Sequence, residues 1–446
     1  MKMPDFHAIA DAVAAEIASG KLAAGSRLPP QRTFADNWGI AASTASRVYA
    51  ELTRRGLVTG EVGRGTFVRA PETLRAVRIS EAADAPIDLQ LAISSSLEQA
   101  ALMAPALHSL AGPAALWEAL CAASPFGPDG AGPAVAHFLA TSRWTPDPAG
   151  ILFAGGGRQA IACALAALCQ PGDRLGVEPL TYPSMIRIAA RLGLQLVPIQ
   201  IDDQGIDLEA LARTHAAKPL AAIYIQPTLH NPLGISMTPE RRQALGHWLE
   251  AAGLYCIEDA AFAFLSDATP LAAYAPDRVV YVNSMQKRLA PGIGVGFVAA
   301  PRPVKDAIAA VMRAGGWMAP SLAVRLVMSW IADGTAVRVA GLKRKDARAR
   351  QALAARILGA ERVPARTDAF HAWLELPPAW SADAFTAAAA QQGVAITSSG
   401  AFAVTPGRAP NAVRLALSAA PLKDLEQGLQ VLRALLATTP NDAPIE

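Results

Sequence analysis

Between residues 151 and 284 the chain repeats one local pattern. Short apolar runs rich in β-forming residues each end in polar, aromatic or glycine residues: Ile151-Leu-Phe-Ala-Gly-Gly-Gly157, Leu175-Gly-Val-Glu-Pro-Leu-Thr-Tyr182, Ala221-Ala-Ile-Tyr-Ile-Gln-Pro227, Leu254-Tyr-Cys-Ile-Glu-Asp259 and Arg278-Val-Val-Tyr-Val-Asn-Ser284. Helical stretches alternate with them. Strand–helix alternation of this kind predicts a parallel-rich α/β sheet, and such a sheet gathers a site at the C-terminal ends of its strands.

The run ends carry a consistent chemistry. The last leads into Asn283-Ser-Met-Gln-Lys287-Arg-Leu-Ala-Pro-Gly-Ile-Gly-Val-Gly296. A lysine three residues after Ser284 and just ahead of a Pro-Gly turn can hold an aldehyde cofactor as a Schiff base, and pyridoxal phosphate is the usual one. The ring of that cofactor needs a carboxylate at its pyridine nitrogen, which Asp259 offers. Its phenolic oxygen needs a donor, which Asn231 in Asn231-Pro-Leu-Gly234 offers, and Tyr182 can cover the ring face. Burial and neighbouring charge favour proton loss from Lys287. An amino-acid carboxylate needs a bidentate cation, and Arg414 in Asn411-Ala-Val-Arg-Leu-Ala416 fits. The turn at Gly156 and Gly157, feeding a helix over 158–169, can present backbone N–H groups to a phosphate. Each residue alone has a bland reading: Asp259 as a cap, Arg414 as a surface ion pair, Tyr182 as core, the glycine turn as a turn. Their order and spacing together point to the cofactor.

The first seventy residues read differently. They hold nine Lys/Arg against six Asp/Glu, while the remaining 376 hold 31 of each. The basic excess of the chain therefore lies at its N-terminus and suits a phosphate-bearing partner. Apolar residues at Phe6, Ile9, Ala10, Val13 and Ile17 have a helical period. A second helix is expected over Gln31–Trp38 behind Pro30, and a third from Ala41 to about Arg55. Two short strands follow around a glycine-rich tip. Three helices and a two-strand wing make a winged helix-turn-helix, which lays its third helix in the major groove of DNA. Ser43, Thr44 and Arg47 then face bases, Arg32 reaches a phosphate or a guanine edge, and the tip residues Arg64 and Gly65 meet the backbone or minor groove. The bland alternative is a small domain with solvated arginines.

At 446 residues, 52% apolar and 17% charged, the chain predicts two or three globular domains rather than disorder. No apolar run reaches a membrane span, and Met1-Lys-Met-Pro is no secretory signal, so the expected location is cytoplasmic. Cys121, Cys163, Cys169 and Cys256 form no C-x-x-C pair, which predicts buried free thiols and no metal site. The expected division is a head at 1–70, a linker at 71–86 (Pro near both ends, rich in alanine and charge), and a body at 87–438, its large part ending near 330 and a small C-terminal part following.

Residues 6–68 resemble the GntR family of bacterial regulators through Gly25-Ser-Arg-Leu-Pro-Pro-Gln-Arg32, Thr44-Ala-Ser-Arg-Val-Tyr-Ala-Glu-Leu52 and Gly63-Arg-Gly-Thr-Phe-Val68. Ala41-Ala42 stand where that family often has Ser-Arg. Residues 87–438 resemble fold-type I aminotransferases, and the whole chain resembles the MocR-type regulators. The resemblance implies an α/β body with a small C-terminal α+β part and pyridoxal phosphate on Lys287. It also implies an amino acid or amine effector, a head-to-tail homodimer and control of transcription, with or without amino transfer. Four departures cluster at the cofactor. Gly294 replaces the arginine that grips the phosphate. Gln286 replaces a serine beside the lysine, Phe262 a tyrosine facing the ring oxygen, and Phe126 a tyrosine that reaches the partner's phosphate. Arg158 and Arg288 are the residues that could restore positive charge. Three uses of the body remain open: a cofactor-dependent sensor, a working aminotransferase, or a dimerising scaffold.

Overall fold

The computed structural model describes residues 6–19, 21–23, 25–55, 57–61, 65–68, 85–94, 96–363 and 368–440. All but the last two residues of the expected linker lie outside these, as does Arg64 at the wing tip. Three helices, Phe6–Ala18, Gln31–Trp38 and Ala42–Arg54, precede an antiparallel pair, Val58–Glu61 with Gly65–Val68. The apolar faces of the helices share one core built on Ile9, Val13, Phe34, Val48, Tyr49 and Leu52, closed by Val58 and Val68 of the wing. Phe34 meets Tyr49 edge to face at 5.2 Å, and the Tyr49 hydroxyl donates to the Pro29 carbonyl. This is the winged helix-turn-helix that the sequence predicts.

A seven-stranded sheet centres the body, in the order Ile151–Ala154, Gly296–Ala299, Val279–Ser284, Tyr255–Asp259, Ala222–Ile225, Arg174–Val177, Gln195–Pro198. Only Gly296–Ala299 runs against its neighbours. Successive strand residues alternate between two cores. Leu152, Tyr224, Ile257 and Val280 pack under the helices Gly157–Leu168 and Arg302–Gly315. Phe153, Ile223, Cys256 and Tyr281 pack against Ala131–Leu139, Pro239–Ala252 and Ser321–Ala332. Strands covered on both faces need apolar residues at every position, hence the unbroken runs. Cys163, Cys169 and Cys256 are buried free thiols, whereas Cys121 is exposed.

The helix Thr335–Leu358 leads into a smaller unit. There His371–Glu375, Ala412–Ala416 and Thr397–Ser398 form an antiparallel sheet under Ala382–Gln391 and Leu422–Leu436. The aminotransferase resemblance implies a strand over 394–403. Two short strands stand there instead, Val394–Ala395 and Thr397–Ser398, followed by the 3-10 turn Ser399–Phe402. The Ser398 hydroxyl accepts from the Gly400 N–H at 3.4 Å, one of the local bonds by which serine competes with a strand ladder. Ile87–Asp88 pairs in parallel with Val394–Ala395, and Ile87 and Leu89 pack in this smaller core. The chain next contributes Gln90–Ile93 to the wall of a cavity at the sheet edge. Among the described residues no helix is long and apolar enough to cross a membrane.

Candidate cofactor and DNA-binding sites

Five strands of the sheet end at one cavity of about 390 Å³, which the small unit closes with Thr397, Phe402 and Arg414. Gly157, Arg158, Tyr182, Asn231, Asp259, Ser284, Lys287 and Arg414 all line it. The strand ends deliver the side chains. Asp259 is the last residue of its strand, and Lys287 sits in the single turn Met285–Arg288 directly after Val279–Ser284.

The Asp259 carboxylate accepts from the Tyr224 hydroxyl at 2.6 Å and from the Ala261 N–H at 3.0 Å. Burial pushes its pKa above the usual carboxylate range, and the Tyr224 bond works against that. The Lys287 amine donates to the Ala92 carbonyl at 2.8 Å, with the Phe262 ring centred 5.5 Å away. Loss of hydration draws its pKa down to about 8; the Arg414 and Arg158 charges add to the fall, and Asp259 opposes it. Asn231 is buried with its side-chain oxygen unpartnered, and Gln226 holds its backbone through bonds of 3.2 and 3.4 Å. Arg414 donates to the Gln90 carbonyl and to Thr397 Oγ1, and its guanidinium lies 5.3 Å from the Phe402 ring centre. Its Nε has no partner.

The start of the helix Gly157–Leu168 also lines the cavity, through Gly157 and Arg158. Gly156 has φ 140°, and a Cβ there would fall 2.7 Å from Gln286 Oε1, so only glycine leaves this cradle open. Gln286 lines the cavity and donates to the Pro291 carbonyl at 3.3 Å. Arg288 does not join the site. It is held between the rings of Phe138 and Phe264, at 4.5 and 5.6 Å, because its place in the single turn faces it into that apolar shelf. Phe126 lies away from the cavity too, beside Arg313 and Lys305 at 5.4 and 5.7 Å.

Tyr224, Gln226 and Lys343 escaped the sequence reading. The Lys343 amine, buried in the long helix, donates to the carbonyls of Ser94 (2.6 Å), Lys287 (3.2 Å) and Leu289. It ties the lysine turn to the segment after the linker. Burial, then the Lys287 charge, lowers its pKa to about 7. A tyrosine within an aliphatic strand run was a usable signal for Tyr224. Lys343 sits in the polar run Lys343-Arg-Lys-Asp346, which reads as a solvated face.

In the head, Arg32, Ser43 and Arg47 are exposed and Thr44 is half-buried, at the start of the second and third helices. Ala41 opens the third helix without a side-chain cap. Gly65, at φ 117°, leaves room for the Arg27 guanidinium: a Cβ there would fall 2.5 Å from Arg27 Nε. Arg27 is a further exposed cation beside the wing.

The sequence pattern described as "Aminotransferase class I and II" matches residues 125–432, and that of "Bacterial regulatory proteins, gntR family" matches residues 7–68. The HTH-type transcriptional regulator YdeF of Bacillus subtilis is 30% identical over 454 residues, covering 97% of this chain and 94% of that one. The chain belongs to the class I and II aminotransferase family, in its gntR-headed regulator branch. The HTH-type pyridoxine biosynthesis transcriptional regulator PdxR of Corynebacterium glutamicum is 25% identical over 77% of this chain and 76% of its own. The body shares its fold with solved aminotransferases. LysN, the alpha-aminoadipate aminotransferase of Thermus thermophilus, superposes with a TM-score of 0.71 at 22% identity, over 79% of this chain and 92% of that one. The Pyrococcus horikoshii kynurenine aminotransferase gives 0.72 at 19%, over 80% and 92%. The fold implies pyridoxal phosphate as cofactor, and the head implies DNA binding. The donor set fits that cofactor: an amine of lowered pKa, a buried carboxylate, a buried asparagine amide and a glycine-opened helix start line one space.

Proposed function

We propose that this regulator's aminotransferase-like body senses pyridoxal phosphate together with an amino acid or related amine and passes that state to its DNA-binding head. The convergence of Lys287, Asp259, Asn231 and Arg414 on one cavity, in a chain headed by a gntR module, carries the reading. When bound, pyridoxal phosphate supplies an aldehyde that an amine can capture and a ring that withdraws electrons from an attached amino compound. Lys287 presents the capturing amine, unprotonated in a useful fraction near neutral pH because of its lowered pKa. Asp259 faces the ring nitrogen and holds its proton, with Tyr224 fixing the carboxylate. Asn231 donates to the ring oxygen, Tyr182 covers one ring face, and Arg414 takes the carboxylate of the amino compound with two N–H groups. Phe262 brings no hydroxyl to the ring oxygen, which favours sensing over rapid turnover.

The division at 1–70, 71–86 and 87–438 belongs to this reading, as do Arg32, Ser43, Thr44, Arg47, Arg64 and Gly65 as the DNA-facing set. A second copy of the chain fits the apolar surface of Leu116, Trp117 and Leu120, whose relative exposures are 41%, 73% and 68%, in a head-to-tail dimer. Apolar groups exposed so closely together mark an interaction surface. Regulation requires the ligand to bind two arrangements of the heads with different affinity.

The test uses purified full-length protein and DNA from upstream of its own gene. Pyridoxal phosphate should give a visible absorbance band that Lys287→Ala abolishes. Arg47→Ala should lose the footprint and keep the band. Absence of any band in excess cofactor would leave the body a scaffold, and multiple turnover of an amino acid with a keto acid would make it an enzyme.

A further inference from the structure

The cavity has an unbalanced charge that its assigned groups do not use. Among the described residues its charged lining consists of Arg158, Arg187, Lys287 and Arg414 against Asp259 alone. Asp259 is committed to Tyr224 and Ala261, Lys287 to Ala92, and Arg414 to Gln90 and Thr397. Arg158 and Arg187 have neither an ion-pair partner nor a hydrogen-bonded acceptor among the described residues. Both stand on one wall. Arg158 opens the helix Gly157–Leu168 beside the glycine cradle, with Ile161 one turn on. Arg187 lies one turn into the helix Pro183–Arg191, behind Ser184, and the two helices pack together. The Tyr182 hydroxyl feels both guanidinium charges.

If Asp259 neutralises a protonated ring nitrogen, Arg414 a carboxylate, and Lys287 loses its charge on capture, two positive charges remain. A phosphate ester carries about −1.5 to −2. Position 294, where the family's phosphate arginine stands, is glycine, and Arg288 is turned away into its aromatic shelf. We infer that Arg158 and Arg187, reaching in from two helices, form a guanidinium clamp for the cofactor's phosphate and take over the grip absent at Gly294. Arg187 thereby joins the binding residues, and the clamp rests on the cofactor reading above. Its ligand chemistry is a dianionic oxoanion at the end of the cavity opposite Arg414.

Pyridoxal, which lacks the phosphate, separates the clamp from the capture chemistry. Full-length protein is titrated with pyridoxal phosphate and with pyridoxal, and capture is read by absorbance and by the mass added to Lys287 after borohydride trapping. The wild type should prefer pyridoxal phosphate. Arg158→Gln and Arg187→Gln should each cut that preference by roughly tenfold, the loss of a charged hydrogen bond, while both variants still capture pyridoxal; Arg158→Gln is compared above pH 9, where the Lys287 amine is unprotonated with or without the Arg158 charge. The intact pyridoxal signal also shows that each variant is folded. An unchanged preference in Arg187→Gln overturns the clamp. So does weaker binding of dicarboxylic relative to monocarboxylic amino acids at unchanged preference, which would place Arg187 against the effector. A wild type that captures neither aldehyde overturns the Lys287 reading, and the clamp with it.

Discussion

At the ring end of the cavity each polar group is held from behind. Tyr224 and Ala261 hold Asp259, Gln226 holds Asn231, Lys343 holds the turn that bears Lys287, and strand pairing holds Arg414. At the phosphate end the groups are free: Arg158 is exposed, Arg187 half-buried, and Gln286 bonds only a loop carbonyl. Side chains locked by packing and a second layer of bonds keep a geometry; unsupported ones lose conformational entropy on binding. On the function proposed above, the contrast teaches that the capture groups are fixed in advance while the Arg158–Arg187 clamp must be ordered on binding, which lets cofactor occupancy vary. A sensor needs that, and a turnover enzyme does not.

Breaking the rigid end should cost most. Arg414→Met removes a bidentate, charge-assisted contact, so the amino-compound affinity of the cofactor-loaded protein should fall roughly 10- to 100-fold, about 1.5–3 kcal/mol. A titration of the cofactor absorbance with amino acids would show it, and an unchanged affinity would remove Arg414 from the site. The pH dependence of capture comes next. Because the Lys287 pKa is lowered to about 8, the reactive unprotonated amine grows as pH rises. The capture rate should climb about tenfold from pH 7 and level off above pH 8 to 9. A rise continuing to pH 10 would mean an ordinary exposed lysine. Gly294→Arg sharpens the comparison from the loose end. A Cβ at 294 meets only the Gly155 carbonyl, at 3.4 Å, so the side chain can be admitted. Cofactor affinity should rise about tenfold, with pyridoxal affinity unmoved. No gain would show that the grip is already complete.

The gathering of these side chains at one cavity was legible in the sequence because strand ends fix where a residue goes. Asp259, Asn231, Tyr182 and Lys287 each follow an apolar run, so sheet topology alone brings them together. The winged head was legible for a related reason: short helices closed by Gly and Pro leave little choice of packing. What lay hidden depends on direction rather than position. Arg288 is adjacent to Lys287 but faces an aromatic shelf, a consequence of one helical turn that spacing does not reveal. Lys343 lies in a charged run and is nevertheless buried, because carbonyls of the lysine turn and of Ser94 receive its protons. Ile87 and Leu89 precede the large sheet in sequence yet complete the small core, since their partner strand Val394–Ala395 comes three hundred residues later.

The central claim, that cofactor capture at Lys287 changes DNA binding by the head, is met most directly by one titration. Full-length wild type and Lys287→Ala are each measured for affinity and footprint on the upstream DNA of the chain's own gene, with and without saturating pyridoxal phosphate. The account predicts that the cofactor shifts wild-type affinity or footprint and leaves Lys287→Ala unmoved. Identical DNA binding by the wild type in both conditions would contradict it.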